Sequence, residues 1–374
     1  MIQEPRWHLL SKGCGKESVN IFFAGSGFEY DLAYDVGVRK RLLSWHANTE
    51  DDFTQYLDAQ KVGRDSFSII DSGAFSVWNR GGVINLDDYI KKLIEMLPHF
   101  DVAANLDVIP GKRGMPARDI TTEITEQAAA AGWANYSLIA AALHAEGIDW
   151  RRVMSIYHQG ESMDWLKRMV DSGCTYIGIS PSNDCATPQR QLWLDDVFDY
   201  LRTLPEMPKT HGYAVTSPVL MKQFEWFSVD SASWIQLGGF GAVNTPFGII
   251  TLTDRQDIMG KADSMGGRNW SKEMKEKVAQ YFTNIGLDIE TLKTNYRERW
   301  KANAIWLLNV EKEMTWSPRP KPTSLFGDVP TMRVSPAKHG REPRLTQDCM
   351  GVTLNGKPPL GDKPMHLFDG RDSV

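Results

Sequence analysis

The chain has 374 residues, enough for a barrel core of about 250 residues with segments to spare. Hydrophobic residues make up 42% and charged residues 24%, the balance of an ordinary globular protein rather than a disordered one. The formal net charge of −5 excludes a global basic field, so any nucleic-acid contact has to come from a local patch. No apolar run approaches the roughly 20 residues that span a bilayer. The N-terminal stretch MIQEPRWHLLSKGCGKE lacks the apolar region of a secretory signal. Cys14, Cys174, Cys185 and Cys349 are scattered with no CxxC pair, which suits reduced thiols in the cytoplasm and offers neither a zinc knuckle nor a redox motif. On these grounds the sequence predicts no metal and no cofactor.

Along the chain, short apolar runs alternate with longer amphipathic stretches. The runs are Val19–Gly25, Phe67–Asp71, Val102–Asp107, Val153–His158, Tyr176–Ser180, Gly212–Thr216 and Trp226–Asp230, with Gly248–Leu252 as the candidate eighth. Each has the length of a buried parallel strand, and most are rich in β-branched or aromatic residues. Leu86–Leu97 carries apolar residues at helical spacing behind acidic first-turn residues. Ile120–Glu146 is Ala-rich and helical, with Gly132 as a potential break. Ser162 predicts an N-cap and Gly173 the matching helix end. This alternation predicts an α/β fold, a (β/α)8 TIM-type barrel over residues 1–258, with an open sheet as the alternative because periodicity does not show closure.

After residue 258 the texture changes. Lys272–Ile285 and Ile289–Val310 read as amphipathic helices in a segment, 259–315, packed on the barrel. From Trp316 the chain is Pro-rich and irregular, a C-terminal arm over 316–374. It holds Arg319, Lys321, Arg333, Lys338, Arg341 and Arg344, which suit packing on the barrel combined with phosphate contact.

In α/β barrels the active site lies at the C-terminal ends of the strands. Those ends carry Asp71, Asp107, the pair His158-Gln159, Gly178 with Ser180, and Asp230. An isolated strand-end aspartate commonly caps the loop that follows it. Three converging on one mouth are harder to explain that way. The small stretch Ser72-Gly73-Ala74 allows a planar ligand close to the backbone, with Phe75 available to stack. Asp230 lies in aromatic-rich WFSVDSASW, where burial raises a carboxylate pKa unless Ser228, Ser231 or Ser233 donates to it. Gln159 has an amide suited to reading a base edge. His158 and His211 read as hydrogen-bonding histidines rather than bases or metal ligands, since neither has a partner at metal-ligand spacing. Gly25-Ser26-Gly27 is a strand-end turn more readily than a phosphate cradle.

Taken in order, DSGAF, NLDVIPG, YHQGE, YIGIS, HGYAVTS and WFSVDSASW resemble the motif series of the tRNA-guanine transglycosylase superfamily. The resemblance runs from about Phe67 to Trp234 and is most similar to the DpdA-type DNA transglycosylases, which place 7-deazaguanine bases in phage or bacterial DNA. It implies Asp230 as the nucleophile at the sugar C1′ and Asp71 as general acid/base on the departing and incoming bases. It implies that Asp107 reads the amino-pyrimidine edge of a guanine-like base, and that Gln159 and the backbone around Gly178 hold its carbonyl. Ser72 and Phe75 then line and stack on the base, and Tyr213 covers its other face. DNA and a 7-deazaguanine base are the implied partners, with tRNA as the alternative. Two departures stand out: the Cys-rich zinc spacing of the tRNA enzymes is missing, and Ala74 replaces their second glycine. The competing readings are a tRNA transglycosylase, a glycosidase that releases the base without exchange, and an inactive barrel that only binds nucleic acid.

Overall fold

The computed structural model describes residues 6, 10, 19–25, 30–64, 66–112, 114–115, 119–182, 185–215, 217–253, 265–266, 271–314 and 316–317. The basic arm beyond Ser317, the turn residues Ser26 and Gly27, and Cys14 and Cys349 lie outside them.

Eight parallel strands close into a barrel in sequence order. They are β1 (Asn20–Ala24), β2 (Lys40–Ser44), β3 (Phe67–Asp71), β4 (Val102–Ala104), β5 (Val153–His158), β6 (Tyr176–Ser180), β7 (Lys209–Gly212) and β8 (Ser228–Ser231). Closure is made by β1 on β8, with Asn20 opposite Ser228 and Phe22 opposite Asp230. The helices between strands are α1 (Tyr30–Asp35), α2 (Glu50–Lys61), α3 (Ala74–Asn79), α4 (Leu86–Met96), α5 (Thr122–Ala145), α6 (Met163–Asp171), α7 (Thr187–Arg202) and α8 (Pro218–Gln223). After the barrel come α9 (Ser233–Gly239), α10 (Lys272–Asn284), α11 (Ile289–Thr294) and α12 (Tyr296–Glu313).

The period of two along each strand sorts the residues into two cores. Phe22, Leu42, Phe67, Ile69, Val102, Ala104, Met154, Ile156 and Tyr176 fill the barrel interior. The alternate positions, including Ile21, Leu43, Ile70, Ala103, Tyr157 and Ile177, meet the helices in the outer core. The interior is thus packed solid, and chemistry is left to the rim.

The expected strands differ from these in three places, one being the run Gly212–Thr216, which shares only Gly212 with β7. The run Gly248–Leu252 is not a barrel strand. It forms β10 (Gly248–Thr251), paired antiparallel with β9 (Ala242–Thr245) and parallel with the two-residue β11 (Met265–Gly266), in a separate small sheet. That sheet buries Val243 and Ile250 against Val278, Phe282, Leu292 and Ala302 of the C-terminal helices. The missing barrel strand is β2, KRLLS, whose buried Lys40 and Arg41 conceal it. Lys40 pairs with Glu311 of α12, and the Arg41 guanidinium lies 6.0 Å from the Trp234 ring.

Helix ends follow the sequence more closely. The Ser162 side chain accepts the Asp164 N–H at the start of α6, and Gly173 beyond its end adopts φ +83°. Gly132 does not break α5, which runs continuously from Thr122 to Ala145; a Cβ there would make only an ordinary contact, 3.6 Å, with the Val108 nitrogen. The predicted helix Ile289–Val310 is instead two helices, parted at Asn295, whose extended backbone lets its side chain cap α12. No helix among the described residues is long and apolar enough to cross a membrane.

Candidate active site

At the C-terminal ends of β3 and β4 the interior positions change from apolar to acidic, and on β8 they pass from Ser228 to Asp230. Phe67 and Ile69 of β3 are fully buried, and Asp71, next on the same face, keeps part of its surface open to the mouth. Asp230 ends the inward series of β8, and Asp107 stands three residues past β4. The Asp107 and Asp230 side chains are 14% and 15% exposed, enough to be reached and little enough to be poorly hydrated.

The Asp71 carboxyl is raised to about 7, first by burial and then by the negative charge of Asp107, with Asp230 adding to it. A hydrogen bond from the Gly73 N–H to Oδ2, 2.9 Å, opposes the rise. Gly73 has φ +80°, and a Cβ on it would meet the Ser44 hydroxyl at 2.7 Å and His46 Cβ at 2.9 Å. Only glycine allows the turn that aims this N–H back at Asp71. A carboxyl balanced near neutrality can both give and take a proton.

Asp230 is held differently. The serines around it are engaged elsewhere: Ser228 Oγ meets His211 Nδ1 at 2.6 Å and also Tyr176, while Ser231 Oγ meets Ser233 Oγ. The donor to Asp230 Oδ1 is the Ala214 backbone N–H, at 2.8 Å. Ala214 is the one non-glycine residue with positive φ (51°) among those described. A strained backbone thus presents its N–H to this oxygen. His211, fully buried, brings Nε2 to 3.5 Å from the same oxygen, and this nitrogen has no hydrogen-bond partner among the described residues.

Asp107 is tied to His158, whose Nε2 lies 2.9 Å from Oδ2. His158 Nδ1 lies 2.8 Å from Glu161 Oε1, so the ring is held between two carboxylates. Burial alone would lower the His158 pKa, but the Glu161 charge and the hydrogen bonds to both carboxylates raise it to about 10. Gln159, between them in sequence, accepts the Ser182 N–H on Oε1 at 2.9 Å.

The remaining predicted residues are placed unevenly. Ser72 is fully buried and its hydroxyl accepts the Ala74 N–H at 3.1 Å, so it shapes the turn. Phe75 is 54% exposed on α3, roughly parallel to Trp78, which itself donates to the Gly111 carbonyl in the loop after β4. Gly178 and Tyr213 are neighbours: a Cβ on Gly178 would lie 2.5 Å from Tyr213 Cε2. The buried Tyr213 hydroxyl has no hydrogen-bond partner among the described residues. Burial, followed by the charges of Asp71, Asp107 and Asp230, raises its pKa well above the ordinary tyrosine value.

Sequence reasoning gave no role to Glu161, to Ala214, or to Ser44, whose side chain opposes the rise of the Asp71 pKa. Glu161 had a signal, since Gly160 at φ +104° permits the turn that folds position i+3 back onto His158. Ala214 and Ser44 had none, because one depends on backbone strain and the other on the unrecognised β2. Among the described residues no group of three or more His, Cys, Asp or Glu is arranged to hold a metal ion. The fold and its rim define a (β/α)8 barrel with an acidic mouth. No protein-family model and no curated protein matches the chain.

Proposed function

We propose that the protein is a nucleic-acid transglycosylase that exchanges guanine in DNA for a 7-deazaguanine base, such as 7-cyano-7-deazaguanine, through a covalent glycosyl-enzyme. The observation that carries this reading is the division among the mouth carboxylates. Asp71 is raised to about 7 by burial and by the charges of Asp107 and Asp230, while Asp230 is aimed by a backbone N–H. One group suited to proton transfer beside one fixed carboxylate is what a double displacement at an anomeric carbon needs.

In this mechanism the target nucleotide leaves its stack, at a cost of a few kcal/mol, and enters the mouth. The Asp230 carboxylate attacks C1′ as the bond to guanine breaks, and Asp71 gives its proton to the departing base. The sugar is left as an ester on Asp230. The incoming deazaguanine then loses its ring N–H proton to Asp71 as its nitrogen displaces Asp230 from C1′. Both carboxylates finish as they began. Asp107 accepts from the two adjacent N–H groups of a guanine-type edge, which disfavours adenine with its acceptor at N1. Gln159 and the backbone at Gly178 hold the carbonyl, Phe75 and Tyr213 face the ring, and Ser72 keeps the turn in place.

DNA is favoured over tRNA because the sequence lacks the Cys-rich spacing of the tRNA enzymes. Nucleoside mass spectrometry of DNA and tRNA from cells expressing the protein tests the choice. The expected result is a 7-deazaguanine nucleoside in DNA that is absent without the protein. Its appearance in tRNA alone would refute the DNA reading, and release of guanine without incorporation would point to a glycosidase.

A further inference from the structure

The base-exchange reading uses Asp71, Asp107 and Asp230 and leaves two buried ionisable groups at the same mouth without a role. Glu161 has a side chain only 1% exposed, and its Oε2 has no hydrogen-bond partner among the described residues. His158, 11% exposed, is the one hydrogen-bond partner of the Asp107 carboxylate among the described residues. We infer that His158, anchored by Glu161, is a positioning residue that sets Asp107 to receive a base edge with two adjacent N–H donors; this rests on the base-exchange reading.

The geometry ties the protonation of the ring to that of the two carboxyl groups. An imidazole nitrogen 2.8 or 2.9 Å from a carboxylate oxygen must carry a hydrogen, or two acceptors would face each other. Both nitrogens are so placed, so against two carboxylates the ring is an imidazolium. The raised His158 pKa agrees in direction. A neutral ring would have to turn one lone pair toward Glu161 or Asp107, and Glu161 is fixed in a tight turn. Its N–H donates to the His158 carbonyl, and its own carbonyl accepts the Tyr157 hydroxyl at 3.0 Å.

The consequence falls on Asp107, which stands in a loop and not on a strand. Its backbone is pinned nearby, where Asn135 donates to the Leu106 carbonyl and Asn105 to the Gly132 carbonyl. The carboxyl torsion is left to His158. A carboxylate has about four lone-pair positions, and the His158 N–H occupies one on Oδ2. Both oxygens can still accept, in a plane set by the imidazolium. That plane decides whether a two-donor edge is met by two hydrogen bonds or by one. Loss of His158 should therefore cost selectivity between bases that differ at the second donor, beyond any loss of affinity.

The probes are free guanine, which has both donors, and hypoxanthine, which lacks the amino group. Equilibrium dialysis of each against the full chain, His158→Gln and Glu161→Gln gives affinity and selectivity. Side-chain 15N spectra of the same proteins, labelled on histidine, give the state of the ring. The wild type is expected to prefer guanine by about tenfold or more, the worth of roughly one hydrogen bond to a charged group. His158→Gln should lose most of that preference, with hypoxanthine affinity changed much less. Glu161→Gln keeps the ring and should lower its titration midpoint while weakening the preference. At pH 8 the wild-type His158 should show both ring nitrogens protonated.

A neutral His158 ring at pH 8, or a folded His158→Gln with full guanine preference, overturns the inference and leaves the role of Asp107 standing. A wild type that binds neither base, or both equally, overturns the base-reading role of Asp107 and the inference with it. Should His158→Gln fail to fold, Glu161→Gln and the wild-type spectrum still decide.

Discussion

The two ends of the barrel carry charged clusters of opposite character. At the N-terminal end Asp101, buried before β4, accepts from the Arg6 backbone and guanidinium and from the Ser68 N–H. Arg152, buried before β5, donates to the carbonyls of Leu97, Phe100 and Asp101. The Tyr56 hydroxyl is shared among Ser68, Arg6 and the His99 carbonyl. At the C-terminal end the Tyr213 hydroxyl and His211 Nε2 are buried without a hydrogen-bond partner among the described residues, Asp71 is pushed up to about 7, and Ala214 is strained. One end is saturated with hydrogen bonds, and the other keeps unmet capacity around three carboxylates. In barrels of this type the first pattern belongs to stability and the second to chemistry.

That contrast can be broken by substitution. Asp230→Ala is expected to reduce base exchange by roughly a thousandfold or more while the thermal midpoint changes little, because it removes the proposed nucleophile and, among the described residues, only the hydrogen bond from the exposed Ala214 N–H. A variant that exchanges normally, or that unfolds, would place Asp230 with the structural end. Asp101→Ala should do the reverse. Leaving Arg6 and the Ser68 N–H without their acceptor should cost about 3 kcal/mol in denaturant unfolding, with exchange per folded molecule unchanged.

The Asp71 carboxyl sharpens the comparison through pH. In its raised state it is protonated below about 7 and ionised above. Formation of the glycosyl-enzyme, which needs the proton, should fall as pH rises through about 7. Asp107→Asn removes a negative charge that opposes ionisation of Asp71, so the fall should move to lower pH. Single-turnover rates across pH read both effects, and a shift to higher pH would contradict the electrostatic account. The smallest effect separates the two tyrosines. Tyr56→Phe discards a satisfied hydroxyl and should cost about 1 kcal/mol of stability, whereas Tyr213→Phe discards one with no partner among the described residues and should cost nothing measurable.

Much of this architecture was legible in the sequence, and the exceptions share a cause. β3, β5 and β6 announce themselves as Phe67–Asp71, Val153–His158 and Tyr176–Ser180 because their residues are nearly all buried. β2 does not, since Lys40 is paired with Glu311 and Arg41 is packed near Trp234, residues remote from them in sequence. Local pattern carries no trace of such partners. Gly248–Leu252 has the apolar pattern of a strand and is one, but pairing is decided by β9 and by the helices that cover it. β7 lies earlier than the apolar run GYAVT suggested, and Tyr213 and Ala214 thereby fall in the loop.

The site divides in the same way. Strand-end position brought Asp71, Asp107 and Asp230 into view, because the rim of a barrel is where interior positions meet solvent. Their separate environments were out of reach. Serines were the evident donors to Asp230, and the donor is a backbone N–H made available by left-handed Ala214. The hydroxyl of Ser72, adjacent to Asp71 in sequence, is spent on the turn.

The proposed covalent bond between Asp230 and the sugar can be measured directly. DNA is incubated with the full chain, the mixture is denatured at acid pH, and any protein–DNA adduct is digested and mapped by mass spectrometry. The expected result is an adduct on the peptide containing Asp230, lost in Asp230→Ala and consumed when a 7-deazaguanine base is supplied. An adduct on another residue, or base exchange that proceeds with no adduct, would contradict it.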